Sequence, residues 1–285
     1  MVTRLWGCLI LLFILAGCTA PALAPSLPGD FYRQQVQQLL PADVLLIGEQ
    51  HDAPDHQRIH HAVVEVLAGQ GQLAALALEM AGAGQSTAQL DTQASEDAVR
   101  TALQWDNEAW PWSAYRPAVM AAVRAGVPVL GANLPAARLK PSMGDVRLDG
   151  LLPGPALQTQ QQNIRIGHCK LLPESQISPM TRVQIARDVS MAQILTSNAL
   201  PGKTVVLLAG HGHVDRSLGV PQHLPANLRT KTVYLGTDQA QGATENKADF
   251  DQHWPAQPAP EIDYCADFAT HQATRTSTPS PTPAP

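Results

Sequence analysis

Val44-Leu45-Leu46-Ile47-Gly48-Glu49-Gln50-His51 and Val205-Val206-Leu207-Leu208-Ala209-Gly210-His211-Gly212-His213 decide the fold of this chain, because each is an unbroken apolar run that ends in Gly-x-x-His. A continuous run of β-branched and leucine residues of this length reads as a strand buried on both faces, the mark of a parallel sheet. The glycine is expected to let the backbone turn sharply at the strand's carboxyl end. In open α/β sheets that is the edge where ligands bind. His51 and His213, with Glu49 and His211, are therefore expected on one rim of one sheet, and they converge on a pocket if the two strands are neighbours.

Working outward, five strand candidates of this kind appear, at 43–48, 74–79, 127–132, 204–209 and 231–236. Helical stretches separate them: 55–67 as the first crossover, 95–103 and 113–125 before the third strand, 155–170 and 179–199 before the fourth. That alternation implies right-handed crossovers. The expected class is α/β, a mostly parallel sheet flanked by helices, with two helical insertions above the carboxyl-end rim.

Other strand ends add polar groups to the same rim. The second run closes on Glu79 and the third on Asn133, and a carboxylate leaving a core needs a partner. Asp52 joins this set, with Arg187 and Asp188 of the second helical excursion as salt-bridge partners in reach. Taken singly, any of these residues reads as a satisfied polar group capping the next helix, and Asp52 and Asp55 are plausible N-caps. Four strands that all end in Glu, His or Asn favour a shared pocket.

The first residues form an address label. Positive charge at Arg4, an apolar core from Leu5 to Leu15, and Leu15-Ala16-Gly17-Cys18 follow in order. The core is far short of the roughly 20 residues a membrane span needs. Leu-Ala-Gly-Cys directly after such a core resembles a bacterial lipoprotein lipobox. Residues 1–17 then form a lipoprotein signal peptide, and Cys18 starts the mature chain carrying lipid, palmitate included. Acyl chains at about 0.8 kcal/mol per buried methylene anchor without a spanning helix. The expected location is the bacterial outer membrane, on its periplasmic side or at the cell surface.

Residues 18–29 read as a tether, 30–270 as one α/β domain, and 271–285, rich in Thr, Ser and Pro, as a disordered tail. A net charge of −5 and the lack of a basic run give no footprint for nucleic acid. With Cys8 in the leader and Cys18 lipidated, Cys169 and Cys265 remain, and an oxidising compartment makes a disulfide between them the default. Closing so long a loop contributes about 4 kcal/mol in the chain-entropy model.

Two chemistries suit the rim. Two histidines and one or two glutamates are adequate ligands for a divalent metal, here His51, His213 and Glu49, with a second glutamate as general base toward a metal-bound water. His56 and His60, at helix spacing, lack the Glu of a His-Glu-x-x-His motif and read as surface or capping residues. An aromatic cluster in a chain otherwise poor in aromatics, Trp105, Trp110, Trp112 and Tyr115, reads either as packing of the first insertion or as a flat apolar wall for a planar ligand.

Gly-Glu-x-His-Asp, Ala-Leu-Glu-Met, Trp-x2-Tyr-x-Pro, Gly-Ala-Asn-Leu-Pro, Ala-Arg-Asp-x2-Met-Ala and Ala-Gly-x-Gly-His-Val together resemble the ChaN family of bacterial haem-binding lipoproteins associated with iron uptake. The resemblance runs from about Asp30 to Gly236. It implies an α/β fold, a homodimer, and haem held at the dimer interface with a tyrosine on the iron. Tyr115 lies in a matching motif and is the candidate ligand, whereas Tyr32, Tyr234 and Tyr264 lie outside such motifs. His168 and Arg187 complete the candidate haem contacts. The wider superfamily resembles Tiki-type metalloproteases and erythromycin esterases. That likeness implies a hydrolase alternative in which Glu49, His51, Glu79 and His213 are catalytic.

Overall fold

In a computed structural model, residues 28–236, 249–257 and 262–266 are described. The signal peptide, Cys18, most of the tether, and the tail at 271–285 lie outside the described residues.

The sheet has six strands: β1 (Val44–Glu49), β2 (Leu73–Gly82), β3 (Val129–Asn133), β4 (Thr204–Gly210), β5 (Thr230–Leu235) and β6 (Gln252–Trp254). Their spatial order is β3-β2-β4-β1-β5-β6, and every neighbouring pair runs parallel. The five apolar runs are the first five strands, to within a few residues. β6 carries no such run, since Gln252-His253-Trp254 is a three-residue edge strand with one buried side chain.

Side chains on a strand alternate between faces, and the sheet uses both. Leu45 and Ile47 point to one face, under α1 (Pro28–Leu39), α2 (Pro54–Gly69) and α4 (Trp112–Arg124). Val44 and Leu46 point to the other, under Met191, Ala192 and Leu195 of the 25-residue α7 (Glu174–Asn198). Each fully buried aliphatic side chain contributes about 1.5–3 kcal/mol through its removal from water. Helix α1 begins at Pro28, inside the stretch read as tether, because Tyr32, Val36 and Leu39 share one face and are buried in the core.

The first excursion is α3 (Glu96–Ala102) with α4, and the second is α6 (Gly154–Gly167) with α7. A further helix, α5 (Ala136–Gly144), lies between the third strand and the second excursion, and a single turn, α8 (His211–Val214), follows β4 at once. Both excursions cover a sheet face with their middles and lean over the carboxyl rim, α4 through Tyr115 and α7 through Gln184 and Asp188. Cys169, in the α6–α7 connection, is bonded to Cys265.

Candidate functional site

β1 and β4 are direct neighbours, with Glu49 opposite Gly210, so the two Gly-x-x-His ends meet in register. The glycines there provide space, not a turn. Gly48 and Gly210 both have ordinary backbone angles, but a Cβ on Gly210 would lie 2.9 Å from His51 Nε2, and one on Gly48 would lie 3.1 Å from His211 Cδ2. The expected sharp turn is therefore replaced by close approach of imidazole to backbone.

The carboxylate of Glu79 joins the two histidines. Its Oε1 is 3.4 Å from His213 Nε2 and its Oε2 is 3.7 Å from His51 Nε2, while the Gly210 N–H donates to Oε2 at 2.8 Å. Asn133 holds this strand end by donating to the Glu79 carbonyl at 2.9 Å. Burial raises the Glu79 pKa, but the His213 and His51 charges and the Gly210 N–H outweigh it and hold the carboxyl at about 2.

His213 is clasped from both sides, with Nδ1 on Asp188 Oδ1 at 2.5 Å and Nε2 facing Glu79. Burial works against its charge, yet Glu79 and Asp188 prevail and push its pKa up to about 10. Both of its nitrogens thus face carboxylates, and its charge sits between Glu79 and Asp188. Asp188, wholly buried, moves the other way from most paired carboxylates: burial outweighs the His213 charge and lifts it to about 6.

His51 is built differently. Its Nδ1 sits 2.7 Å from Glu49 Oε1, its side chain is 39% exposed, and the edge of Trp110 meets its ring at 4.8 Å. Burial pulls the His51 pKa down, but the Glu49 hydrogen bond and the Glu79 and Glu49 charges raise it above the ordinary histidine value. Tyr115 donates its hydroxyl to the same Glu49 oxygen at 2.6 Å. Burial, then the Glu49 charge, pushes this phenol strongly upward. Tyr115, expected as an iron ligand, thus gives its hydroxyl to a carboxylate at the floor of the pocket. The aromatic cluster divides accordingly. Trp112 and Tyr115 belong to the buried core with Trp105 packed against it, while Trp110, with Ala109, Pro111 and the Tyr115 edge, lines the pocket.

His56 and His60 are not surface residues; they are 2% and 1% exposed. His56 Nδ1 accepts the Gln50 N–H at 2.9 Å, and His60 lies beneath Glu49, with Nδ1 3.4 Å from Oε2. Burial depresses both, His60 to about 4. Asp52 and Asp55 cap nothing, for the N-cap of α2 is Ala53. His211 donates Nε2–H to the Leu235 carbonyl at 2.8 Å and stacks on Tyr234 at 4.1 Å, and burial holds it neutral at about 3.

These groups surround a pocket of about 690 Å³ at the carboxyl rim, within the range usual for cofactor sites. Arg187 lines it, and its Nε is buried with no hydrogen-bond partner among the described residues. His168 does not line it; it ends α6, with Nδ1 donating to the Ile164 carbonyl at 2.8 Å. Sequence reasoning missed Gln184, whose amide lies 3.2 Å from His213 Nδ1, since a lone glutamine in a helix gives no signal. No group of three His, Cys, Asp or Glu among the described residues is arranged to hold a metal ion.

The profile of one family, described as haem-binding uptake, Tiki superfamily, ChaN, matches residues 35–224. The chain belongs to the ChaN family. The structure of ChaN of Campylobacter jejuni, described by its cofacial heme binding, is 24% identical and superposes with a TM-score of 0.61, covering 72% of this chain and 86% of that one. The type III effector HopBA1 (17% identity, TM-score 0.43, 74% of this chain and 87% of that one) and the erythromycin esterase EreC (13%, 0.45, 74% and 74%) are more distant. Among curated protein sequences none matches. The ChaN-family region holds Glu49, His51, Glu79, Tyr115, Arg187, Asp188 and His213. Tyr264 and Cys265, which also belong to the pocket and its bridge, lie beyond it.

Proposed function

We propose that this chain is a lipid-anchored haem-binding protein of iron uptake, and that haem enters the carboxyl-rim pocket. The observation that carries the reading is the pocket itself: apolar along Trp110, Pro111 and Ala109, of cofactor size, with the buried, unpartnered Nε of Arg187 suited to a carboxylate such as a propionate. Tyr115 and Tyr264 both line the pocket and both donate to a carboxylate, Tyr115 to Glu49 and Tyr264 to Asp52. Tyr264 lies outside the family region, but it is 52% exposed against 2% for Tyr115, and on that difference in access it takes the role of iron donor. Iron chemistry belongs to the haem, and the protein supplies shape, donor and charge.

Exposed apolar side chains lie close in sequence to both bridged cysteines, Ile166 and Leu171 near Cys169 and Ile262 and Tyr264 near Cys265, and Tyr264 lines the pocket. An exposed apolar patch at a ligand mouth suits cover by a second copy, so haem binding should favour a homodimer. Haemin titrated into the protein should give a shifted Soret band and a larger species by sedimentation. Absence of any Soret shift would refute the reading. For the anchor, Cys18→Ser should abolish incorporation of labelled palmitate.

A second reading, hydrolysis, is favoured by one feature, the pocket-facing imidazole of His51 oriented by Glu49. It predicts turnover of an activated ester that is lost in His51→Ala.

A further inference from the structure

The residues beyond the ChaN-family region are tied to the domain at four points, and at one of them, Tyr264, they line the pocket. β6 pairs with β5 through Val233, Tyr234 and Leu235. The Gln257 N–H donates to Asp55 Oδ2 at 2.8 Å, at the start of α2. Tyr264 lines the pocket and donates its hydroxyl to Asp52, on the loop after His51. Cys265 is bonded to Cys169, on the opposite excursion. Tyr264 is 52% exposed and has no place in the hydrophobic core, so packing alone does not hold it there. Cys169 itself stands at φ 58°, followed by Lys170 at φ 58°, a backbone region that L-residues rarely adopt, so this connection turns tightly where the sulfur is presented.

We propose that the Cys169–Cys265 bridge stakes Tyr264 across the pocket mouth, making the C-terminal segment a covalently held outer wall that limits access to His51. Cys265 is a positioning residue in this arrangement, and Tyr264 is the wall. Asp52, one residue from His51, gives the tyrosine its second point of attachment. With the bridge open, the exposed Tyr264–Asp52 hydrogen bond is the contact left to hold the tyrosine, and such a bond is weak in water. Reduction by a dithiol, which delivers two electrons and two protons to the two sulfurs and departs as its own disulfide, frees the segment.

The proposal rests on the pocket and does not require haem to be its ligand, so the test uses a small electrophile. Diethyl pyrocarbonate modification of His51 is followed by mass spectrometry on the full chain, with the outward-facing His61 as internal reference. The Cys169→Ser/Cys265→Ser double variant and Tyr264→Ala should each modify at His51 several-fold faster than the parent, with His61 unchanged. Tyr264→Phe, which keeps the ring and the bridge, should stay near the parent. Adding Tyr264→Ala to the double variant should add nothing, since both changes remove one wall. Parental rates in the double variant, parental rates in Tyr264→Ala, or an equal rise at His51 and His61 would each overturn the proposal. Haemin that fails to bind while His51 stays shielded defeats the haem reading and leaves the staked wall standing.

Discussion

The chain uses one motif twice, and the two copies end in opposite states. After β1, Gly48-Glu49-Gln50-His51 runs into a turn before α2, and its histidine faces the pocket, half-exposed against Trp110. After β4, Gly210-His211-Gly212-His213 passes at once into α8, and its histidine is drawn beneath α7, where Asp188 meets it. The same four-residue spacing thus yields one pocket-facing, partly exposed imidazole and one buried imidazolium. What differs is the layer above: the segment entering α4 offers the β1 end the Trp110 wall and α4 itself a phenol, while α7 offers the β4 end a carboxylate. A motif places a side chain at an edge, and the neighbouring helix decides what that side chain is for.

The largest expected effect separates the two histidines by stability. His213→Ala leaves Asp188 and Glu79 as buried carboxylates facing each other across a void. Breaking a buried ion pair by removing one partner costs about 3–5 kcal/mol. His51→Ala removes one partly exposed hydrogen bond to Glu49, worth about 1 kcal/mol. Urea denaturation of the two variants checks the difference. Equal losses would erase the distinction between a structural and a ligand-facing copy. For haemin affinity the order should invert, with His51→Ala showing the specific effect.

The pH dependence of folding tests the same contrast. The folded His213 pKa is raised from 6.5 to about 10, so its contribution is complete below 6.5 and is lost as pH climbs toward 10. His60 and His211 are depressed from 6.5, to about 4 and about 3, so their neutral forms contribute above 6.5 and that contribution is lost as pH falls through those values. Stability should therefore peak near pH 6.5. His213→Gln should flatten the alkaline arm and leave the acid arm in place, as read by melting temperature across pH. An alkaline arm that survives the substitution would mean that His213 is not held as an imidazolium.

A smaller effect is expected at the wall of the β1 end. Trp110→Ala deletes the ring that meets His51, and an aromatic contact of this kind is worth about 0.5–1.5 kcal/mol beyond its area. Haemin affinity should fall by about threefold to tenfold, with little change in stability, because Trp110 is only partly buried and lines the pocket. The measurement is a Soret titration.

Much of this was written in the chain and some was not. The five long strands were legible because β-branched and leucine runs bury both faces, and the convergence of Glu49, His51, Glu79 and His213 followed from adjacent strand ends. β6 was illegible because three edge residues with one inward side chain carry no periodicity. Helix α1 was legible in principle, through Tyr32, Val36 and Leu39, but no helix was read there, and its first two residues, Pro28 and Gly29, fell in the stretch read as tether. Asp188 was recognised as within reach, yet its clasp on His213 depends on the path of α7 over the sheet. Tyr264 gave no signal, since a tyrosine in a polar segment acquires its place only through Cys265. For Tyr115 the aromatic motif was legible, but the partner of its hydroxyl, Glu49, was not.

Tyr115→Phe should therefore be the quietest change at the β1 end. The ring stays in the core against Trp105 and Trp110, so packing is kept. What is lost is the hydroxyl that donates to Glu49 Oε1, while His51 remains on that same oxygen. One satisfied hydrogen bond of this type is worth about 1 kcal/mol, partly offset because the strongly desolvated phenol no longer needs a partner. The Soret and charge-transfer bands of the haemin complex should match the parent, whereas Tyr264→Phe should alter them. A changed charge-transfer band in Tyr115→Phe with an unchanged one in Tyr264→Phe would return the ligand to the floor of the pocket. It would also require the Glu49 contact to break on binding, and the accessible role would then belong to α4 and not to the β1 histidine.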